Sequence, residues 1–380
     1  MPEQPIHIAA LVPYPVYPAK MGGQKGIALF YKYLSDRLPV TVISTKNNEP
    51  ATSDGIHFMP VLGNSKWRYI NPFLFFIIKK IIKKERFTHL ILEHPYYGWL
   101  ALLLKWFTGV KLVVHSHNIE ALRFKSMGKW WWGILWNYER FTHRKAHCSF
   151  FIHDDDRQYG IEKFGLDPRR CITVTYGIEI DRAPSPADKQ ACRTVICKSH
   201  GIGQDEKILL FNGTLNYKPN QDALDIILEK INPLLLAGSL LPYKIIICGN
   251  KLPDKYKSLD EYHEKHLIYA GFVDDISVYF KGADIFINPV TDGGGIKTKV
   301  VEALGADLSV ISSRSGAIGI PADITGDKMK VIADNDWEEF ASEIRSLNTN
   351  ASLPQSFFEH FYWGNIAAKA AEWISRSTVK

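Results

Sequence analysis

The sequence predicts an α/β protein of two doubly wound, parallel-sheet domains. Three observations predict it. Short, almost uninterrupted apolar runs alternate with stretches of helical periodicity along all 380 residues, as strands buried on both faces require. The alternation runs twice, and a Pro-rich segment, Ala183-Pro-Ser-Pro-Ala187, separates the two rounds. The composition, 46% hydrophobic and 23% charged, is enough to fill two cores. The expected domains are 1–180 and 181–357, with a closing helix, 358–380, that crosses back onto the first.

In chain order, Ile6–Val12 reads as the first strand, Gly22–Gly23 as a loop, and Gly26–Leu38 as a helix. Val40–Ser44 is the next strand. His89–Leu92 and Leu112–His115 follow, with the helix Leu100–Phe107 between them. Ser149–Ile152 is a short strand, and a helix starts near Asp155. The second round has strands at Lys207–Phe211, Tyr243–Cys248, Leu267–Ala270, Ala283–Asn288 and Leu308–Ser312. Its helices are Asn220–Ile231, a short one around Val278–Phe280, and one from Lys299 to Leu304. In such sheets ligands bind beyond the carboxyl ends of the strands, so two facing sheets would enclose an interdomain cleft.

Several function classes fall away on composition. No basic region precedes Ile6–Val12, so a signal peptide is not expected. The longest apolar candidate for a span, Tyr96 to Phe107, contains Lys105 and is far short of the roughly 20 residues a membrane helix needs. Five cysteines without a Cys-x-x-Cys read as reduced thiols of a cytoplasmic protein, and no Cys/His cluster with zinc spacing is present. Charge is uneven: up to Ile180 there are 24 Lys/Arg against 14 Asp/Glu, and beyond it 22 against 26. The basic half points to an anionic partner, and with no nucleic-acid-binding motif, nucleic acid is not expected.

One stretch is more specific. Leu267-Ile-Tyr-Ala-Gly-Phe-Val-Asp-Asp275, then Tyr279 to Pro289 with Ala283-Asp-Ile-Phe286, then Gly293-Gly-Gly-Ile-Lys-Thr-Lys-Val-Val-Glu-Ala-Leu304, resembles the donor half of family 4 glycosyltransferases of GT-B fold. The resemblance extends to Gly22–Gly23, to His117-Asn-Ile-Glu120, to Tyr138-Glu-Arg140, to Gly213-Thr-Leu-Asn-Tyr-Lys-Pro-Asn220 and to Phe361-Tyr-Trp-Gly364. It implies two Rossmann-like domains, a nucleotide-sugar donor held mainly by the second, and retention at the anomeric carbon. It implies no metal for chemistry and no cofactor, the donor being a substrate.

A diphosphate needs backbone N–H groups and cations. Gly293, Gly294 and Gly295, continued by Ile296, Lys297 and Thr298, can bring both at a helix start. Lys297 and Lys299 can charge-balance the leaving group. In the family Glu302 holds the ribose hydroxyls; otherwise it is a surface helical glutamate. Members often place a second glutamate eight positions earlier, where this chain has Gly294, with Asp292 nearby but out of register. Gly22 and Gly23 form the first glycine loop. Gly213 and Lys218 offer a second phosphate loop, Lys218 being either a phosphate ligand or a solvated lysine. Gly271, Phe272 and Val273 either flank the base or pack the strand end. His117 is the catalytic candidate beside Lys299 and Glu302, and His115 is its rival. Asp154–Asp156 reads as an N-capped helix start, not a metal site.

Two segments bear on the acceptor. Phe73 to Phe87 is a basic amphipathic helix and Lys129 to Trp136 holds four tryptophans. Each either meets an anionic bilayer or covers the sheet. The sequence therefore implies a glycosyltransferase using a UDP- or GDP-sugar and a saccharide or lipid-linked glycan acceptor. It would be cytoplasmic, with peripheral contact at the inner membrane surface. A non-catalytic GT-B binding protein and a nucleotide-sugar epimerase are the alternatives, although the acid and histidine set an epimerase needs is not evident in the sequence.

Overall fold

The computed structural model describes residues 5–19, 22–51, 55–238, 242–347 and 351–376. The chain divides into two compact units, Met1–Glu179 with Phe361–Lys380, and Ile180–His360. Each unit is one parallel sheet with helices, and the architecture is GT-B.

In the first unit β1 (Ile8–Leu11), β2 (Val40–Thr45), β3 (His57–Leu62), β4 (His89–Glu93), β5 (Lys111–Ser116), β6 (Cys148–Phe151) and β7 (Cys171–Thr173) pair throughout in parallel, in the order β3-β2-β1-β4-β5-β6-β7. In the second, β8 (Lys207–Asn212), β9 (Tyr243–Cys248), β10 (Leu267–Gly271), β11 (Ile285–Asn288), β12 (Ser309–Ser313) and β13 (Met329–Ile332) run β10-β9-β8-β11-β12-β13. In both sheets the order reverses beside the first strand, at β1/β4 and at β8/β11. The loops leaving adjacent strands diverge there and open a crevice at the strands' carboxyl ends.

The apolar runs are central strands: β1, β2 and β4 are buried at every position. Three strands escaped the sequence reading, β3, β7 and β13, and all three are sheet edges. An edge is only half covered, so β3 carries His57 and Pro60 and β13 carries Lys330 without interrupting a core.

Two helix readings are corrected. Gly22 and Gly23 are not a loop before the helix but its first residues, in Gly22–Ser35. The helix read as Asn220–Ile231 begins at Lys218 and continues through a π turn at Ile227–Ile231 to Gly238. The helix Asp154–Phe164 does start at the acidic run, but its capping side chain is His153, whose Nδ1 accepts from the Asp156 N–H at 3.3 Å. The acids fill the first turn, where the helix dipole favours them.

The closing helix, Trp363–Arg376, belongs to the first unit; residues 377–380 lie outside the described residues. Ile178 N–H donates to Phe361 O at 2.7 Å and Trp363 N–H to Ile178 O at 3.0 Å. Trp363, 2% exposed, then packs on Phe30 and Tyr176.

Candidate active site

At the β8/β11 switch point two loops meet. Gly293 and Gly295 have φ of +92° and +70°, a left-handed backbone that glycine adopts without strain. A Cβ on Gly293 would lie 3.4 Å from Pro219 and 3.7 Å from the Tyr217 hydroxyl, which places the glycine loop against the loop after β8. Gly249, at the end of β9, is required for a different reason: its Cβ would stand 2.0 Å from Gly213 O. The eight-residue helix Thr298–Gly305 starts directly after the glycine loop and carries Glu302.

The two lysines of this stretch do different things. Lys297 Nζ turns back onto the loop and donates to Gly293 O at 2.5 Å and Gly295 O at 3.0 Å. It braces the glycines from inside. Lys299 Nζ donates to Asn212 O at 3.2 Å and Asn220 Oδ1 at 3.1 Å and lies 4.3 Å over the Phe211 ring. Among the described residues it has no carboxylate partner. Burial, with the nearby Lys297 charge, pulls its pKa down to about 7. A desolvated cation without a carboxylate partner among the described residues, at a helix start that follows a glycine loop, has the chemistry to receive an anion. Asn220 is the residue the sequence reading missed here. It takes Lys299 on Oδ1 and donates to Thr214 O at 3.1 Å.

The first unit gathers a second set at the ends of β4 and β5. Glu93 is fully buried and accepts from Tyr31 Oη, from His115 Nδ1 at 3.0 Å and from His117 Nε2 at 2.6 Å. His94 follows it with φ +58°, bonded to the Tyr14 hydroxyl at 2.8 Å and 3.3 Å from Glu120. Glu120 also accepts from Tyr96 Oη at 2.7 Å and from Arg123 at 2.6 Å. Burial opposes its ionisation, but His94 and Arg123 hold its pKa down to about 2. Behind it Glu139, wholly buried, accepts the backbone N–H groups of Glu120 and Ala121 at 3.1 Å each. Desolvation pushes this capping carboxyl up to about 8.

Two family models match the chain: Glycosyltransferase Family 4 over residues 22–182 and Glycosyl transferases group 1 over residues 206–350. The chain belongs to the family 4 glycosyltransferases. Among curated relatives, EpsD of Bacillus subtilis (strain 168), named among glycosyltransferases, is 23% identical over 249 residues, 62% of this chain and 61% of EpsD. The Escherichia coli UDP-Gal:alpha-D-GlcNAc-diphosphoundecaprenol alpha-1,3-galactosyltransferase is 20% identical over 277 residues, 71% of this chain and 66% of the relative. The aligned stretches thus span less than two thirds of either relative's own length. Anabaena HepE in complex with UDP superposes at a TM-score of 0.73 with 14% identity, over 98% of this chain and 100% of that one.

The family 4 motifs fall into place unevenly. Gly293, Gly294, Gly295, Ile296, Thr298, Lys299 and Glu302 stand together at the carboxyl edge of the second sheet, with Gly213 beside them. Lys297 is committed to the loop carbonyls. Lys218 is an exposed first-turn residue paired with Asp222, four positions on. Asp292 Oδ1 accepts the Gly293 N–H at 2.6 Å and so shapes the loop. Phe272 is 69% exposed, so it does not pack the strand end, and Gly271 turns there at φ +68°. Gly22 and Gly23 open the first helix of the other unit. His117 and its rival His115 turn out to share one carboxylate.

That carboxylate joins residues the sequence reading kept apart: Glu93, His115 and His117 bring three ligand-type atoms within 4.8 Å of one another. Glu93 comes from the neighbouring strand, so the set as a whole has no spacing along one segment.

Proposed function

We propose that the protein is a retaining glycosyltransferase that moves a sugar from a UDP- or GDP-sugar to a saccharide or lipid-linked glycan. One observation carries the reading: Lys299, a cation with no ion-pair partner among the described residues, stands in the first turn of the helix that bears Glu302, directly after the glycine loop. The acceptor oxygen forms its bond to the anomeric carbon as the carbon–phosphate oxygen bond breaks. The bonding pair leaves with the diphosphate, which takes up the acceptor's proton. Lys299 and the loop N–H groups offset the charge that develops. HepE's complex with UDP and the UDP-Gal named for the E. coli relative make a uridine donor the first to test. Calorimetric titration of UDP and GDP into Glu302→Ala should show about tenfold weaker binding than wild type for the productive nucleotide. Unchanged affinity for both would remove Glu302 from the site.

No metal is assigned to this reaction. Activity lost in EDTA and restored by magnesium or manganese would overturn that.

The acceptor side adds a membrane. No helix among the described residues is long and apolar enough to cross one. The first unit nevertheless exposes Phe73 at 70%, Phe76 at 66%, Trp106 at 61% and Trp130 at 84%. Lys79 Nζ lies 4.9 Å over Phe107, and Lys80, Lys83 and Lys84 are exposed on the same helix as Phe73 and Phe76. Apolar rings rimmed by lysines suit reversible docking to an anionic inner-membrane surface, at about 1 kcal/mol per lysine. Co-sedimentation with phosphatidylglycerol vesicles should be strong at low salt and weak at high salt. A protein that stays in the supernatant at low salt has no such surface.

A second reading, nucleotide-sugar epimerisation, is favoured by the Glu93, His115 and His117 set alone. Incubating each donor without acceptor separates the two: an epimerised donor supports epimerase, slow hydrolysis supports transferase.

A further inference from the structure

We propose that Glu93 is a positioning residue for His117: it fixes the imidazole as the Nε2–H tautomer and leaves Nδ1 to accept a hydrogen bond from a substrate hydroxyl. The substrate in this statement rests on the transferase reading; the tautomer does not.

Glu93 sits at the carboxyl end of β4 with no exposure, and each of its neighbours is a donor. Tyr31 Oη and His115 Nδ1 meet Oε1, and His117 Nε2 meets Oε2. A carboxylate bonded to a hydroxyl and two imidazoles accepts from all three, so the proton of each bond belongs to the hydroxyl or the imidazole. His117 Nδ1 is left without a hydrogen-bond partner among the described residues, on a side chain that remains 14% exposed. The ring cannot readily turn. It stacks on His94 at 4.6 Å and 24° and lies 4.6 Å from His115. His94 is itself bonded to Tyr14 and close to Glu120. Separations of 2.6 and 3.0 Å are those of shared protons. A tetrahedral ion with bonds of about 2.0–2.1 Å would hold its ligand atoms about 3.3 Å apart. The arrangement is a carboxylate behind an imidazole, which elsewhere sets tautomer and orientation.

Nitrogen-15 NMR of the full-length protein labelled on histidine reads the tautomer directly. The expected signature is His117 protonated on Nε2 with Nδ1 bare, and a shifted or mixed tautomer in Glu93→Gln. A wild-type His117 protonated on Nδ1 overturns the proposal whether or not a donor has been found. With the best donor, Glu93→Gln should lower kcat by about 30-fold or more and change KM less than about twofold. Glu93→Asp, which keeps the charge, should retain more kcat than the amide. The double variant with His117→Ala should be no slower than His117→Ala alone. Wild-type kcat in Glu93→Gln, or losses that multiply in the double variant, would show that Glu93 acts independently of His117. A protein lacking transferase activity toward every donor, with the expected tautomer, would defeat the transferase reading and leave the dyad standing.

Discussion

The two switch points of this molecule are built on opposite electrostatic plans. Beside β1/β4 the buried carboxylates Glu93 and Glu120 are answered from within, Glu93 by two histidines and a tyrosine, Glu120 by His94, Tyr96 and Arg123. At β8/β11 the central charge, Lys299, meets a carbonyl, an amide oxygen and the Phe211 ring, and no carboxylate among the described residues. A closed network holds protons and rings in place and has little to offer an anion. An uncompensated cation among glycines pays for its own desolvation until an anion arrives. On the proposed reading, the first unit supplies geometry and the second takes the donor's charge. It also explains Lys297 and Lys218, whose charges are spent on the loop carbonyls and on Asp222.

The contrast breaks if the two sites fail to separate in kinetics. The largest effect is expected for His117→Ala: a loss of about 10²–10⁴ in kcat, with UDP affinity in calorimetry changed less than about twofold. A comparable loss of UDP affinity would mean that His117 acts on the donor's charge after all.

Lys299→Met should do the reverse, weakening UDP-sugar binding by about 10–100-fold for one or two charge-assisted bonds. Its Tm should stay level or rise, because a desolvated ammonium with no carboxylate partner among the described residues has been replaced by an apolar chain of similar length. The same residue predicts a pH dependence. Its pKa in the free protein is lowered to about 7, chiefly by burial, so the charged form is lost as pH rises above that value. Affinity for a UDP-sugar should fall by about tenfold between pH 6.5 and 8.5 in wild type, with that slope missing in Lys299→Met. Without ligand, the unfolded chain binds the extra proton between about 7 and the ordinary lysine value, so this group makes stability rise with pH in that window. Pair-wise melting curves of wild type and Lys299→Met check the sign.

The smallest effect sharpens the comparison. Lys218→Ala should change UDP affinity less than about twofold, since the side chain is exposed and already paired. A tenfold loss would show that Asp222 releases it to the phosphates.

Much of this was legible from local sequence. Strands buried on both faces announced themselves as apolar runs, because a polar group is costly there unless the fold supplies its partner. The glycine loop and Glu302 were legible because loop, helix start and acid are consecutive, so spacing along the chain is spacing in space. The edge strands β3, β7 and β13 were not, since one open side removes the apolar signature. Lys297 and Lys299 could not be told apart by position. They are two residues apart around the start of a helix, and only the fold decides which reaches the loop and which reaches Asn220.

The sequence by itself determined the two parallel sheets, the place of the glycine loop at a helix start and the candidacy of His117. Tertiary structure alone decided what His117 is attached to. Glu93 lies 24 residues away along the chain, on the neighbouring strand, and parallel pairing of β4 with β5 brings the two side chains to one edge. A buried carboxylate carries no local pattern of its own. Its ionisation depends on which donors the folded chain sets around it, and no spacing rule within one segment contains that information.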